Sequence, residues 1–297
     1  MKNFGIPNTF SVRSLYKSPV LWYDKYAETR IFARKGCKIM YKCEREDEIL
    51  SILGETEYAT VEYLSRKMNI SASSIRRDLK NLEERGLVQR SYGGVKITQT
   101  SGRHIPFSLR SHENSAQKKQ IARAAVSLIA PGDTVFLDGS STAFFTSELL
   151  PSVSGVTVIT NSVDAMACLS GYDVKAYCTG GLVSAENRAV LVGGYTQSFL
   201  SQIHADAVLF SVQALTADGG CYDCYAEEVA VRNIMLKSAR RRILLIDSSK
   251  LGRPSTFYQG NVRDLDFVVS DRDLCGFFTD PTPEKYILAS RTGEKER

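Results

Sequence analysis

The chain has 297 residues, 43% of them hydrophobic and 24% charged. That is enough apolar sequence for one large core or two smaller ones, and too ordinary a composition for a disordered, collagenous or disulfide-framework protein. No run approaches the ~20 apolar residues of a membrane-spanning helix, the first residues lack the apolar stretch of a secretory signal, and seven scattered cysteines, an odd number, read as reduced thiols, so the expectation is a soluble, cytoplasmic protein with no membrane partner. The net charge of +5 sits wholly in the first 39 residues, where eight Lys/Arg face two acids for +6, while residues 40–100 sum to zero and the remainder to −1.

Residues 1–39 show no sustained helical or strand period and are assigned to a basic arm. Two readings stay open for it: an arm that touches nucleic acid, or a segment upstream of a start at Met40. Organised sequence begins just after Met40. Ile49, Ile52 and Leu53 share one helical face, with Gly54 expected as the stop. Thr60 precedes a second helix carrying Val61, Leu64 and Met68 and closing at Asn69. Ser71 or Ser73 caps a third, in which Ile75, Leu79 and Leu82 are buried before Gly86. Two extended runs around Gly93-Gly94 then predict a hairpin over Leu87–Ile97.

After a polar linker the rhythm becomes strand and helix in alternation. Strands are expected at Thr134–Leu137, Val156–Thr160, Val174–Cys178, Ala207–Val212, Ile243–Ile246 and Phe267–Val269. Helices are expected at Lys118–Ile129, Ala143–Leu150, Val163–Leu169 and Glu227–Ala239. Such alternation predicts a mostly parallel, doubly wound α/β sheet. The expected organisation is an arm at 1–39, a winged helix-turn-helix at 40–97, a linker at 98–112, an α/β effector-binding domain at 113–275 and a tail at 276–297.

Three helices and a hairpin outline a winged helix-turn-helix, whose third helix enters the major groove while the wing lies on the backbone. With Ile75, Leu79 and Leu82 taken by the core, Ser73, Ser74, Arg76, Arg77 and Lys80 fall on other faces, and Ser71 stands at the helix start. Short hydroxyls bond phosphates or base edges, and arginine bonds guanine O6 and N7 in a bidentate manner. Arg90, Tyr92 and Lys96 would sit on the wing and contact phosphate. The bland alternative is a solvated face in which Arg76 and Arg77 pair with Asp78 and Glu83.

The run Ser71-Ala72-Ser73-Ser74-Ile75-Arg76-Arg77-Asp78-Leu79-Lys80-Asn81-Leu82-Glu83-Glu84-Arg85-Gly86-Leu87-Val88, followed by Arg90 and Gly93-Gly94, closely resembles the N-terminal signature of the DeoR family of bacterial transcriptional regulators. The resemblance extends from about Cys43 to Asp271. Tyr92 stands where the family usually has His.

In the second half, the C-terminal ends of the predicted strands carry Asp138-Gly139-Ser140-Ser141-Thr142, Thr160-Asn161-Ser162, Thr179-Gly180-Gly181 and Asp247-Ser248-Ser249-Lys250. These ends line the ligand crevice of an open parallel sheet. Backbone N–H groups and hydroxyls of the first turn, with the Lys250 charge, suit a phosphate. Any one such turn is as readily explained by helix capping; four on one edge shift the balance. Glu227-Glu228 opens a helix, where helix-dipole stabilisation competes with hydroxyl recognition and Glu227 is the candidate. The family resemblance implies the fold of sugar-phosphate isomerases and coenzyme A transferases, used as a sensor of phosphorylated sugars. Gly193-Gly194 replaces the family's usual Gly-Pro, and Ser211-Val212-Gln213-Ala214-Leu215 replaces a glycine-rich segment.

Cys221-Tyr222-Asp223-Cys224 is a lone C-x-x-C and a weak zinc signal; two free thiols are expected, with no metal and no cofactor. The expected function is a sugar-phosphate-responsive repressor that binds duplex operator DNA as a homo-oligomer. The alternative is a sugar-phosphate isomerase or transferase with an accessory DNA-binding module, in which Asp138, Glu227, Glu228 and Lys250 supply acid and base groups.

Overall fold

The computed structural model describes residues 42–56, 58–84, 87–91, 94–98, 107–279 and 283–289, so the arm at 1–39 and the wing residue Tyr92 lie outside the described residues. Helix α1 (Lys42–Thr56) buries Ile49, Ile52 and Leu53. It runs through Gly54 instead of stopping there: that glycine keeps a negative φ, and the Thr56 hydroxyl donates to the Ile52 carbonyl at 2.8 Å to close the last turn. After strand β1 (Tyr58–Ala59), Thr60 caps α2 (Val61–Met68), its hydroxyl accepting the Tyr63 N–H at 3.0 Å. Asn69, at φ 53°, ends that helix in the left-handed region, which a short polar side chain tolerates.

Ser71 caps α3 (Ala72–Glu84) by accepting the Ser74 N–H at 3.3 Å. Ile75, Leu79 and Leu82 are fully buried on its inner face, joined by Asp78. Strands β2 (Val88–Ser91) and β3 (Gly94–Ile97) pair antiparallel as a wing, and β1 adds to the far side of β3. The resulting small core gathers α1, α2, α3, Val88 and Val95. It also takes in Leu109 from α4 (Phe107–His112), a helix lying within the stretch expected to be linker.

Beyond it, α5 (Ser115–Val126) leads into β4 (Thr134–Leu137), α6 (Ser141–Phe144), β5 (Thr157–Thr160), α7 (Val163–Leu169) and β6 (Lys175–Cys178). A two-stranded ribbon, β7 (Leu182–Val183) with β8 (Leu191–Val192), precedes α8 (Gly194–Ser201) and β9 (Ala205–Phe210). Then come β10 (Ala214–Leu215), β11 (Gly220–Asp223), α9 (Ala226–Ser238), β12 (Ala239–Ile246), β13 (Phe257–Asn261), β14 (Phe267–Ser270) and β15 (Tyr286–Leu288). Seven strands form one parallel sheet in the order β15-β14-β12-β9-β4-β5-β6; β10, β11 and β13 make a small antiparallel sheet.

The sheet is doubly wound because its strands alternate. Phe136, Val208, Phe210, Leu244 and Ile246 face one layer with Leu200 of α8 and Val231 and Met235 of α9. Val135, Leu137, Leu209, Ile243 and Leu245 face the other with Ile121 and Ala125 of α5 and Leu169 of α7. A period of two on strands buried on both faces yields this arrangement directly.

Two further expectations shift. The helix expected at Ala143–Leu150 shrinks to α6, because the Thr146 and Ser147 hydroxyls donate to the Ala143 and Phe144 carbonyls at 2.7 and 2.6 Å and tighten the following turns. The stretch expected as a tail contributes β15, which pairs in parallel with β14.

Candidate functional site

Two surfaces carry functional chemistry. On the winged helix, Ser71, Ser73, Arg76, Arg77 and Lys80 are exposed and Ser74 is half-buried. The Ser71 hydroxyl, besides capping α3, lies 3.0 Å from those of Ser73 and Ser74. Arg76 sits 3.7 Å from Glu62 and Lys80 3.8 Å from Glu84. On the wing, Arg90 donates from Nε to Glu83 at 2.7 Å, and that bond lowers the Glu83 pKa and raises that of Arg90. Exposed pairs of this kind are weak, being screened by solvent, and exchange readily for phosphate. Arg77 and Lys96 pair with none of the described residues. Asp78, named beside the arginines in the bland reading, is buried in the core.

The second surface is a cavity of about 480 Å³ at the C-terminal edge of the parallel sheet. Strand order explains its place. The chain winds one way through β4, β5 and β6 and the other way through β9, β12, β14 and β15, so the crevice opens where β4 and β9 diverge, at the topological switch point. Residues just beyond these strands line it: Ser140 and Ser141 after β4, Ser211 to Gln213 after β9, and Asp247, Ser249 and Lys250 after β12.

Its polar groups are arranged around a buried ion cluster. Arg232 of α9 is 3% exposed and bonds Asp138 at 3.0 Å, Asp223 at 2.9 Å and Gln259 at 2.8 Å, with Glu228 at 3.9 Å. Burial opposes its charge, but Asp223 and Asp138 outweigh that and hold its pKa above the usual value. Burial, reinforced by Asp223, pushes the Glu228 carboxyl up to about 7. Across the cavity, Lys118 of α5 donates to the Arg110 carbonyl and approaches the Ser141 hydroxyl at 3.4 Å. Burial, reinforced by Lys250, brings its ammonium down to about 7. Lys250 bonds Ser211 at 2.8 Å and Thr142 at 3.2 Å and lies 3.7 Å from Asp247. Arg110 and Arg253 also line the cavity. The lining therefore holds five cations (Arg110, Lys118, Arg232, Lys250 and Arg253), four acids (Glu113, Asp223, Glu228 and Asp247) and several hydroxyls.

Of the residues expected from sequence, Ser140, Ser141 and Lys250 line this cavity, and Thr142 holds Lys250 from beneath. Asp138 is an anchor below them: it accepts the Ser140 N–H and hydroxyl at 3.0 and 2.6 Å, the Ser211 N–H at 3.3 Å and Arg232. Gly139 leaves no room for a side chain, since a Cβ would lie 1.9 Å from Val190. The other two loops serve the ribbon and α8. Asn161 donates to the Leu191 carbonyl at 3.0 Å; Thr160 and Ser162 cap the start of α7. The Thr196 hydroxyl donates to the Gly180 carbonyl at 2.7 Å, and Gly181, at φ +116°, has Thr196 where its Cβ would be. Each strand step away from the switch point adds nearly 5 Å, which carries the ends of β5 and β6 past the cavity. Glu227 is exposed; its neighbour Glu228 faces the cavity.

Lys118, Arg110, Arg232, Asp223 and Arg253 were not candidates from sequence. A lysine facing the apolar side of an amphipathic helix is the one signal that would have found Lys118. Cys221 is buried and Cys224 half-buried, and burial pushes both thiols up to about 12, far from the thiolate a nucleophile needs. Among the described residues no group of three His, Cys, Asp or Glu converges as a metal site, and no helix is long and apolar enough to cross a membrane.

A family profile described as the DeoR C terminal sensor domain matches residues 113–272, and one described as a DeoR-like helix-turn-helix domain matches residues 45–101. The chain belongs to the DeoR family. Within it, the transcriptional repressor GlcR of Bacillus subtilis is 32% identical over 234 residues, covering 78% of this chain and 90% of that protein. The glycerol-3-phosphate regulon repressor of Escherichia coli is 26% identical, over 78% and 92% respectively. A solved ribose 5-phosphate isomerase from Methanocaldococcus jannaschii is 18% identical with a TM-score of 0.36, over 46% of this chain and 55% of that one, a likeness too distant to bear on function. This DeoR-family member is a DNA-binding regulator, and the alternative of an enzyme with an accessory DNA-binding module is set aside.

Proposed function

We propose that this regulator is a cytoplasmic, homo-oligomeric repressor that holds duplex operator DNA until a phosphorylated sugar or related metabolite fills the switch-point cavity. The observation that carries this reading is the convergence of Lys118, Lys250, Arg110 and Arg253 with the Ser140 and Ser141 hydroxyls around one cavity of about 480 Å³. That volume suits a small metabolite. Lys118 and Lys250, taken largely out of water, need an anion to offset their desolvation, and a phosphate ester brings two charges with a polyol for Asp223 and Glu228 to accept hydrogen bonds from.

DNA is held by α3 and the wing. Ser71, Ser73, Ser74, Arg76, Arg77 and Lys80 face the groove, while Arg90, Lys96 and Tyr92 contact phosphates. An oligomer presents two such modules to paired half-sites, and the effector shifts the population toward a form with poorer spacing. Titrating the full chain with phosphate esters and their unphosphorylated sugars, as wild type and Lys250→Ala, tests the site. A phosphate ligand at Lys250 loses affinity for the ester far more than for the sugar; equal loss for both overturns that role.

A further inference from the structure

The cavity has one wall that belongs to neither family domain. Arg110 lies between the matched regions 45–101 and 113–272, on α4, and it lines the cavity. The adjoining residue, Leu109, is 5% exposed within the core of the winged helix, packed over Gly54 of α1. His112, at the end of the same helix, lies with Nδ1 3.3 Å from the Ser51 hydroxyl of α1. Phe107, at its start, packs edge-on against Phe144 of α6, with ring centroids 5.4 Å apart.

Successive helical residues project ~100° apart, so this single short helix sends one side chain into the reading head and the next into the effector cavity. It cannot turn to bring Arg110 toward a ligand without dragging Leu109 through the winged-helix core. Its C-terminal end is held from the cavity as well. The Lys118 ammonium donates to the Arg110 carbonyl, one of the last-turn carbonyls that a helix leaves unsatisfied. The turn that follows passes through Asn114 at φ 54°, a left-handed position for a residue with a side chain, and Asn114 Nδ2 is tied to Asp247 at 3.3 Å and to Ser249 at 3.0 Å. The second Asp247 oxygen is buried, makes no hydrogen bond among the described residues and has the Lys250 ammonium 3.7 Å away.

We propose that α4 is the coupling element of this regulator: Arg110 contacts the effector's anionic group, and the helix that carries it hands the change to the DNA-reading module. The proposal rests on the phosphate-ester reading of the cavity. An incoming dianion draws the Arg110 guanidinium and competes with the Arg110 carbonyl for the Lys118 ammonium. Both changes act on the same turn of helix, and packed elements of this kind shift between discrete positions rather than deform smoothly. By linkage, whatever factor the ester takes from operator affinity, the operator takes from ester affinity.

The test uses the full chain, a duplex selected by it from a random-sequence library, and inorganic phosphate, glycerol 3-phosphate, glucose 6-phosphate and ribose 5-phosphate as probes. Operator Kd is measured without probe and at saturating probe. In the wild type the ratio of the two is expected to reach tenfold or more. Arg253→Gln, a cavity cation outside α4, weakens the ester but keeps that ratio once saturated. Arg110→Gln, saturated, lowers it below twofold. A full ratio in Arg110→Gln overturns the proposal. Independently of any ligand, Lys118→Met weakens operator binding severalfold although it lies in the sensor, and Lys118→Arg restores it, with circular dichroism confirming that both fold. Operator affinity unchanged within twofold in a folded Lys118→Met also overturns the proposal. If no probe shifts the melting of the wild type, the phosphate-ester reading fails, and the coupling role of α4 is decided by the Lys118 pair alone.

Discussion

Replacing Arg232 by Met removes the cation at the centre of the sensor while keeping similar bulk. Arg232 is 3% exposed and stands among Asp138, Asp223 and Glu228, all nearly buried. Without it, Asp138 keeps the Ser140 and Ser211 bonds and Asp223 keeps the Cys224 N–H at 2.7 Å, but each loses its ion-pair contact and retains only the longer-range attraction of Lys250. Breaking a buried pair from one side costs about 3–5 kcal/mol, because the carboxylates left behind are uncompensated. In a domain of this size each kcal/mol moves the melting temperature by about 2–4 °C, so the expected fall is roughly 6–20 °C. Calorimetry and urea unfolding measure it. Adding Asp138→Asn should recover part of the loss, with a coupling energy of about 1 kcal/mol or more in a double-mutant cycle. A single-variant loss below about 1 kcal/mol, or strict additivity, would refute the idea that the carboxylates depend on Arg232.

Four further outcomes are expected. Glu228, with an ordinary value of 4.5 raised to about 7, holds its proton longer when folded. Its contribution therefore falls as pH rises from about 4.5 to 7, and Glu228→Gln removes that slope from the pH profile of unfolding free energy. Lys118, lowered from 10.5 to about 7, binds its proton less tightly when folded, so stability rises with pH between about 7 and 10, and Lys118→Met flattens that limb. For Arg77→Ala, a base-reading role costs about 1–3 kcal/mol and relaxes preference at one operator position, whereas a phosphate role weakens all sequences evenly and lowers the salt slope by ~1; unchanged affinity in both this variant and Arg76→Ala would remove α3 from the groove. A chain beginning at Met40 should match the full chain in melting temperature and in operator affinity at two salt concentrations, since the arm has no periodic apolar face to bury; weaker binding and a shallower salt dependence after truncation would show instead that its +6 acts through phosphates.

Periodicity and capping made the reading head legible from residues alone. Thr60, Asn69 and Ser71 act through their own backbone neighbours, and Ile75, Leu79 and Leu82 share a face by helical geometry, so these features need no information from elsewhere in the chain. The parallel sheet was legible for the same reason: strands buried on both faces are continuous apolar runs, and helices between them alternate at a second period. The weaker segments were lost where local pattern competes with local chemistry. Phe107 and Leu109 are too few to announce α4, and the hydroxyls of Thr146 and Ser147 shortened α6.

Strand order, by contrast, is a property of the whole sheet. Four loops with similar Gly, Ser, Thr and Asp content leave the strand ends, and nothing within any of them says that only those after β4 and β12 meet at the switch point, joined by the segment after β9. The loops after β5 and β6 use the same residue types to cap α7 and to make room for Thr196. The cations Lys118, Arg110, Arg232 and Arg253 come from four separate segments brought to one cavity by packing, and for the two that are buried, Lys118 and Arg232, the electrostatics gain their strength only once water has been excluded. Local sequence determined which elements form; the tertiary structure alone decided which of their polar ends share a low-dielectric space.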